Sequence, residues 1–297
     1  MAEVITSPSN PKIKKLLALQ QKSSERRESG LFVVEGQREL QHCIDAGFEI
    51  DTIFAVGPFE CLGSPSKSVS TLGHVRGGTT SEAKWWDERE ARRFAGEPQT
   101  CRKGPAVYEV SPEVYEKIAY RGSTEGVVAE VRAKEKRLED LQLGDNPLIV
   151  VMESVEKPGN LGAVLRSADA AGVDAVIVCD PLTDLWNPNL IRASIGAIFT
   201  VPCVACPSAE AIAFFKERRI QILTAQLQDS SLYYDRDMKL GTAIVMGTES
   251  TGLTDIWREA ADAHIRIPML GQLDSLNVSV SAAILMFEAV RQREGSK

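Results

Sequence analysis

The sequence predicts an α/β fold in two units: a parallel-sheet domain at the C-terminal end, preceded by a smaller α/β domain. Three observations predict it. After residue 147, six apolar and mostly β-branched runs (LIVVME, AVIVCD, FTVPCV, IQILTAQL, TAIVMG and AHIRIP) are separated by helical segments. Near-continuous apolar strands are what a parallel sheet covered on both faces requires. A shorter strand–helix–strand rhythm lies upstream. The length of 297 residues, with 43% hydrophobic and 25% charged, suits a globular chain with two cores.

In chain order, Ile13, Leu16 and Leu17 stand at helical spacing within residues 10–22, with lysines between them. GLFVVEG reads as a buried strand, QRELQHCIDAG as a helix ended by Gly47, and DTIFAV as a second strand. Residues 57–105 break the rhythm: they hold eleven glycines or prolines and one plausible helix, SEAKWWDEREARRF. We read them as an irregular insertion. Its Trp85 and Trp86 could stack on bases or pack onto the parent domain. GVVAEVR closes the first domain at residue 132, AKEKRLEDLQLGDNP supplies a polar linker over 133–146, and the second domain runs from 147 to 297.

Several classes are disfavoured. No apolar run approaches the roughly 18 residues of a membrane span. MAEVITSPSNPKIKK lacks the apolar stretch of a signal peptide, so the expected compartment is the cytoplasm. Cys203 and Cys206 form a lone C-x-x-C with no second pair at zinc-ribbon spacing. Buried strand-end thiols are the expectation there, with a redox dithiol as the alternative. Cys61, His74 and Cys101 are too scattered to suggest a metal site, and no metal is expected. None of His42, His74 and His264 stands beside a recognisable nucleophile motif.

The net charge is −7, yet residues 10–38 carry seven basic side chains (Lys12, Lys14, Lys15, Lys22, Arg26, Arg27, Arg38) against three acidic ones. Such a segment suits phosphate contacts; a solvated helix face is the competing reading.

Ligands of open α/β sheets bind beyond the carboxyl ends of the strands, which directs attention to three loops. SVEKPGNLGAVLRSADAAG carries Gly159 and Gly162, expected to let the backbone turn sharply and approach a ligand. Arg166 would reach the strand ends only if its helix began near Leu161; a surface ion pair is the alternative. The loop has neither the G-K-[ST] of a phosphate-binding loop nor G-x-G-x-x-G, which argues against a nucleotide-dependent dehydrogenase or kinase. VMGTESTGL places Glu249 in a glycine-flanked loop. IPMLGQLDSLNVSVSAA enters a terminal helix that Ser275 or Asn277 can cap. Val280, Ile284, Phe287 and Arg291 share one face of that helix, with Leu285 and Ala289 beside it, which suggests burial on two sides.

NLGAVLRSADAAG, IVMGTESTGL and IPMLGQLDSLNVSVSAAILMFEAV together resemble, in order and spacing, the three motifs of the SpoU (TrmH-type) RNA ribose 2′-O-methyltransferases of the SPOUT superfamily. NPKIKKLLAL, RRESGLFVVEG and RGSTEGVVAEV are similar to that family's substrate-binding domain, while the 57–105 stretch departs from its compact form. The resemblance implies a deep trefoil knot in the C-terminal domain, S-adenosylmethionine as cofactor and a homodimer as working unit. It maps active-site roles onto Asn160, Arg166, Glu249, Ser275 and Asn277. Cofactor contacts map onto Thr224, Ala225, Gln226, Met246, Gly247, Ile267, Met269 and Leu276. RNA contacts fall to Lys14, Lys15, Arg26, Arg27, Arg38 and Arg121. Ribosomal RNA of the large subunit is the expected substrate, with transfer RNA or a non-catalytic RNA-binding role as alternatives. Ser250 stands where relatives often carry glycine or another small polar residue.

Overall fold

The computed structural model describes residues 3–57, 105–120, 125–248, 251–272 and 275–294. Trp85, Trp86, Arg121 and Glu249 lie outside the described residues, as do Cys61, His74 and Cys101.

The first sheet has five strands: β1 (Glu3–Ile5), β2 (Leu31–Glu35), β3 (Ile50–Ala55), β4 (Ala106–Val110) and β5 (Val127–Arg132). Their order is β1-β4-β3-β5-β2, parallel across β1, β4 and β3 and antiparallel across β3, β5 and β2. Helices α1 (Pro11–Gln21), α2 (Ser23–Ser29), α3 (Gln37–Asp45) and α4 (Pro112–Ile118) accompany it. The side-chain period of two divides β2 between two cores. Leu31 and Val33 join Ile13, Leu16 and Leu19 of α1, whereas Phe32 and Val34 face the other way. The sequence reading anticipated β2, β3, β5, α1 and α3 but neither β4 nor α4. β4 is only half-buried along most of its length, so it shows no clear apolar run.

The second sheet contains β6 (Leu148–Glu153), β7 (Ala175–Cys179), β8 (Cys203–Cys206), β9 (Gln221–Ala225), β10 (Ser231–Leu232), β11 (Thr242–Met246) and β12 (Ala263–Arg266). All its pairings are parallel, in the order β10-β12-β9-β11-β6-β7-β8. Helices α5 (Pro158–Ala171), α6 (Pro188–Ser194), α7 (Ala197–Thr200), α8 (Ser208–Arg218), α9 (Asp255–Ala260) and α10 (Val278–Glu294) cover its faces. Ile149, Val151, Ile177, Phe215 and Trp257 form the core on one face. Val150, Val176, Leu165 and Leu285 lie on the other, in a cluster continuous with Phe32 and Phe48 of the first sheet.

That continuity fixes the two sheets against each other. Trp186 stacks on Phe32 at 4.5 Å between centroids, and Phe48 meets Phe199 edge-on at 5.4 Å. The stretch read as a polar linker also takes part: Leu138 and Leu141 are buried in the core of the second sheet. Cys203 and Cys206 fall on opposite faces of β8, as residues three apart in a strand must. Cys203 packs toward one core and Cys206 lies in the other, so the C-x-x-C is not a dithiol pair. Among the described residues no helix is long and apolar enough to cross a membrane, and no group of three acidic, histidine or cysteine side chains could hold a metal.

Candidate active site

A parallel sheet brings the carboxyl ends of all its strands to one edge. Because β12, β9, β11 and β6 are consecutive neighbours, the ends at Ile267, Gln226, Gly247 and Ser154 stand side by side there. The sharp turn leaving β6 is made by Ser154, whose φ is 50°, and not by the glycines expected to make it. Both glycines lie inside α5, which begins at Pro158. At Gly162 a Cβ would fall 2.5 Å from Ala193 Cβ and 2.9 Å from the Leu190 oxygen and the Ser194 nitrogen. Its missing side chain serves the close approach of α6, not of a ligand.

The first and third loops meet through two amides. Asn277 Nδ2 donates to Asn160 Oδ1 at 3.2 Å. Asn277 Oδ1 in turn accepts from the Ser279 N–H at 3.0 Å and from Ser279 Oγ at 2.6 Å. Asn277 therefore caps α10, satisfying donors that the first helical turn leaves unpaired. The polar alternation of Ser275, Asn277 and Ser279 is a cap sequence, and the strand-like pattern there does not form a strand.

The second loop is closed by a bridge between Thr248 and Gly252, whose φ is 69°. Gly247 is a steric necessity: a Cβ there would lie 2.6 Å from the Gly252 oxygen and the Leu253 nitrogen. A residue that the sequence reading missed anchors this loop. Glu153, at the end of β6 and only 3% exposed, accepts from Thr254 Oγ1 at 2.5 Å and from the Thr254 N–H at 2.9 Å. An acidic residue ending an otherwise apolar run was its only sequence signal.

Arg166 is not brought to the Asn160–Asn277 pair. With α5 starting at Pro158, it stands about 9 Å along the axis beyond Asn160 at the usual helical rise. Six residues at 3.6 per turn also put it on a different face of α5. It is exposed, and its guanidinium has no hydrogen bond or ion pair among the described residues. Ser275 and Leu276 are both exposed beside the cap.

Of the expected cofactor residues, Ile267 and Met269 line an open cleft of about 480 Å³ with Leu227, Leu232, Arg266 and Pro268. Ala225 and Gln226 end the adjacent β9. The Gln226 side-chain oxygen is buried without a hydrogen-bond partner, an acceptor suited to a ligand's N–H. Thr224 is fully buried and its hydroxyl is engaged with His264 Nδ1 at 2.6 Å, so its side chain is closed to a ligand. Met246 is likewise buried at the end of β11. Apolar walls and an orphaned acceptor fit a nucleoside-bearing cofactor.

The basic segment divides. Lys14 and Arg27 are exposed and make no ion pair among the described residues. Lys15 pairs with Glu130 at 2.6 Å and Arg38 with Glu39 at 2.7 Å. Arg26 corrects the expectation of a phosphate contact. It is 5% exposed, with Nε 2.5 Å from Asp184 Oδ2 and Nη1 2.6 Å from the Leu19 oxygen. Its guanidinium joins the two sheets and does not face solvent.

Comparison with known proteins agrees with this geometry. The profile of the SpoU rRNA Methylase family matches residues 147–287, and that of the MRM3-like substrate binding domain matches residues 10–129. The 23S rRNA (guanosine-2′-O-)-methyltransferase RlmB of Bordetella pertussis is 37% identical over 204 residues, covering 66% of this chain and 82% of that protein. A crystal structure of an RNA 2′-O ribose methyltransferase is 35% identical, with a TM-score of 0.74 over 98% of this chain and 99% of the other. The AdoMet-bound rRNA methyltransferase from Sinorhizobium meliloti is 26% identical, with a TM-score of 0.78 over 98% of each chain. With a relative matched at this level over most of its length, the chain belongs to the SpoU rRNA methylase family.

Proposed function

We propose that this chain is an S-adenosylmethionine-dependent RNA ribose 2′-O-methyltransferase acting in the cytoplasm on 23S ribosomal RNA. The observation that carries the reading is the Asn277–Asn160 hydrogen bond, which joins two motifs far apart in sequence at the carboxyl edge of a parallel sheet. The RlmB relatives, named for guanosine 2′-O-methylation of 23S rRNA, favour that substrate over transfer RNA.

S-adenosylmethionine supplies an electrophilic methyl group on its sulfonium. In this reading Ile267, Met269 and Leu276 offer it apolar contact, and the backbone at Thr224, Ala225, Met246 and Gly247 offers edges for an adenosine. Gln226 adds its unpartnered oxygen. Asn160 and Asn277 orient the substrate ribose near the head of α10, with Ser275 beside them, and Glu249 keeps the active-site role that the motif gives it. Arg166 holds the ribose–phosphate and stabilises the charge that develops on the 2′ oxygen. Arg166 would orient the hydroxyl and stabilise its oxygen, with the released proton passing to water.

Because Arg166 stands on a face of α5 away from its own chain's asparagine pair, we infer a homodimer in which Arg166 of one protomer serves the cleft of the other. The outer face of α10 supports this, since Val280 and Phe287 are each 47% exposed on a largely apolar helix. We take residues 1–132 as the RNA-binding unit, with Lys14 and Arg27 as its open cations, 133–146 as the linker and 147–297 as the catalytic unit. The implied trefoil knot belongs to this proposal. The chain leaves β12 on one side of β9 and returns to pack α10 on α5, β11 and β6.

The test is Arg166→Ala. Tritium transfer from labelled cofactor to 23S ribosomal RNA should fall by on the order of a hundredfold to a thousandfold, with cofactor affinity unchanged within about twofold; wild-type transfer by the variant removes the assignment.

A further inference from the structure

At the junction of the two sheets, Tyr120 is 62% exposed although it stands just past the C-cap of α4, whose Tyr115 and Ile118 are buried. An exposed tyrosine ring ordinarily samples several rotamers. This one is held. The Arg192 guanidinium, reaching across from α6, lies 3.6 Å from the ring centroid. The tyrosine's backbone N–H donates to Glu35 Oε1 at 3.0 Å.

Glu35 is itself 8% exposed. Its second oxygen lies 3.7 Å from Arg192 Nη1 and has no hydrogen-bond partner. Arg192 Nη2 donates to Asn189 Oδ1 at 2.5 Å. A buried carboxylate and an amide thus fix the guanidinium, and the guanidinium fixes the ring. Cation–π contact occupies one face of the ring. Among the described residues no other aromatic ring stacks on Tyr120, and the 62% exposure leaves room for a base on the side away from Arg192.

We propose that Tyr120, backed by Arg192, is a stacking platform for an unpaired base of the RNA substrate. The inference rests on the RNA-methyltransferase reading above and deepens it by naming a contact for the substrate. A ring already fixed gives up little rotamer freedom when a base covers it. Every base has a π-face, and base–aromatic stacking adds appreciably to binding. The arginine beneath leaves positive charge close to the stacked nucleotide's phosphate. The position suits the chemistry as well, because α6 touches α5 through Gly162, and α5 bears Asn160 and Arg166. A base held here would lie on a ring braced by the helix next to the proposed catalytic one.

The experiment uses the full chain and the shortest fragment of 23S ribosomal RNA that accepts a methyl group. Tyr120→Ala and Tyr120→Leu should weaken RNA binding about tenfold, with unchanged melting temperature and unchanged S-adenosylmethionine affinity. Tyr120→Phe and Tyr120→Trp should stay within about threefold of wild type. Unpaired nucleotides of the fragment are then replaced one at a time by abasic residues. At one position the wild type should lose the same tenfold and Tyr120→Ala should lose nothing further. Wild-type affinity in the alanine and leucine variants overturns the platform, and so does an equal abasic penalty in wild type and Tyr120→Ala at every position. If the wild-type chain methylates no RNA, the functional reading itself falls and the platform with it.

Discussion

Asn277 touches Asn160 across 117 residues of sequence, its Nδ2 3.2 Å from the other amide's oxygen, while its own oxygen caps α10. The two roles are separable. Asn277→Ala removes both and should cost about 1 kcal/mol of stability through the lost cap. Asn277→Ser keeps a capping oxygen, so its urea midpoint should stay near wild type, but it cannot span to Asn160. Methyl transfer should therefore drop in both variants by a similar factor, on the order of a hundredfold for a mispositioned reacting group. A serine variant with wild-type turnover would mean that the bridge is architectural only.

The two glycines of the first motif should respond in opposite directions. In a helix, replacing glycine by alanine ordinarily stabilises by about 0.5–1 kcal/mol. Gly159 has open space around it, so Gly159→Ala should raise the melting temperature slightly. Gly162→Ala would drive a methyl group onto the α6 backbone at 2.9 Å. Overpacking of this kind costs about 1–3 kcal/mol, and thermal melts of the two variants check the contrast.

Glu153 should act through the loop it ties down. Glu153→Gln keeps the shape but weakens the charge-assisted bonds to Thr254. We expect a lower kcat with S-adenosylmethionine affinity within about threefold of wild type, because loop geometry bears on the reacting atoms more than on the cofactor cleft. Unchanged kcat would confine Glu153 to fold stability.

What could be read from the sequence followed local physics. β6, β7, β9 and β11 were legible because both their faces are largely buried, leaving mainly apolar runs. FTVPCV was misread as one strand, since Phe199 and Thr200 belong to α7 and β8 starts only at Cys203, and the two-residue β10 was missed. Asn277 as a cap was legible because capping is a property of neighbouring residues. Arg26 was misread, since a cation on a basic helix differs from its neighbours only through Asp184, which lies 158 residues away in sequence. The turn at Ser154 and the packing role of Gly162 were hidden for the same reason: both are set by partners from other elements. Arg166 carries a motif residue's signature, yet its distance from the asparagine pair follows from helix phase, which a motif does not reveal.

The correction at Arg26 yields a contrast. Arg26→Ala leaves the Asp184 carboxylate without its guanidinium in a nearly closed junction, where side-chain exposures are 4% and 16%. Breaking a buried pair on one side costs about 3 kcal/mol or more, so stability should fall while the salt dependence of RNA affinity keeps its slope. Lys14→Ala with Arg27→Ala should do the reverse. Stability should stay within about 0.5 kcal/mol, and the slope of log affinity against log salt should shrink by between about 1 and 2, as expected for two lost phosphate contacts. An unchanged slope would move the RNA path off this segment.

Glu130 gives the pH dependence. On β5 and only 2% exposed, it holds Lys15 Nζ at 2.6 Å. Burial pushes its carboxyl above the ordinary glutamate value, and the Lys15 contact only partly opposes that. With the folded value raised, the folded chain keeps a proton on Glu130 at pH values where the unfolded chain has released it. Stability from this group is thus full below the ordinary glutamate range near pH 4 and is lost as pH rises through the raised folded value. Glu130→Gln, which cannot titrate, removes that dependence. The wild-type chain should therefore lose stability relative to the variant between about pH 4 and neutrality, measured by urea unfolding at each pH. Lys15 is about half-exposed, with 48% of its side chain accessible, so it returns to water at little cost in the variant. Parallel profiles would mean that burial and the lysine cancel at this carboxylate, and a wild-type gain with rising pH would mean that the ion pair outweighs its desolvation.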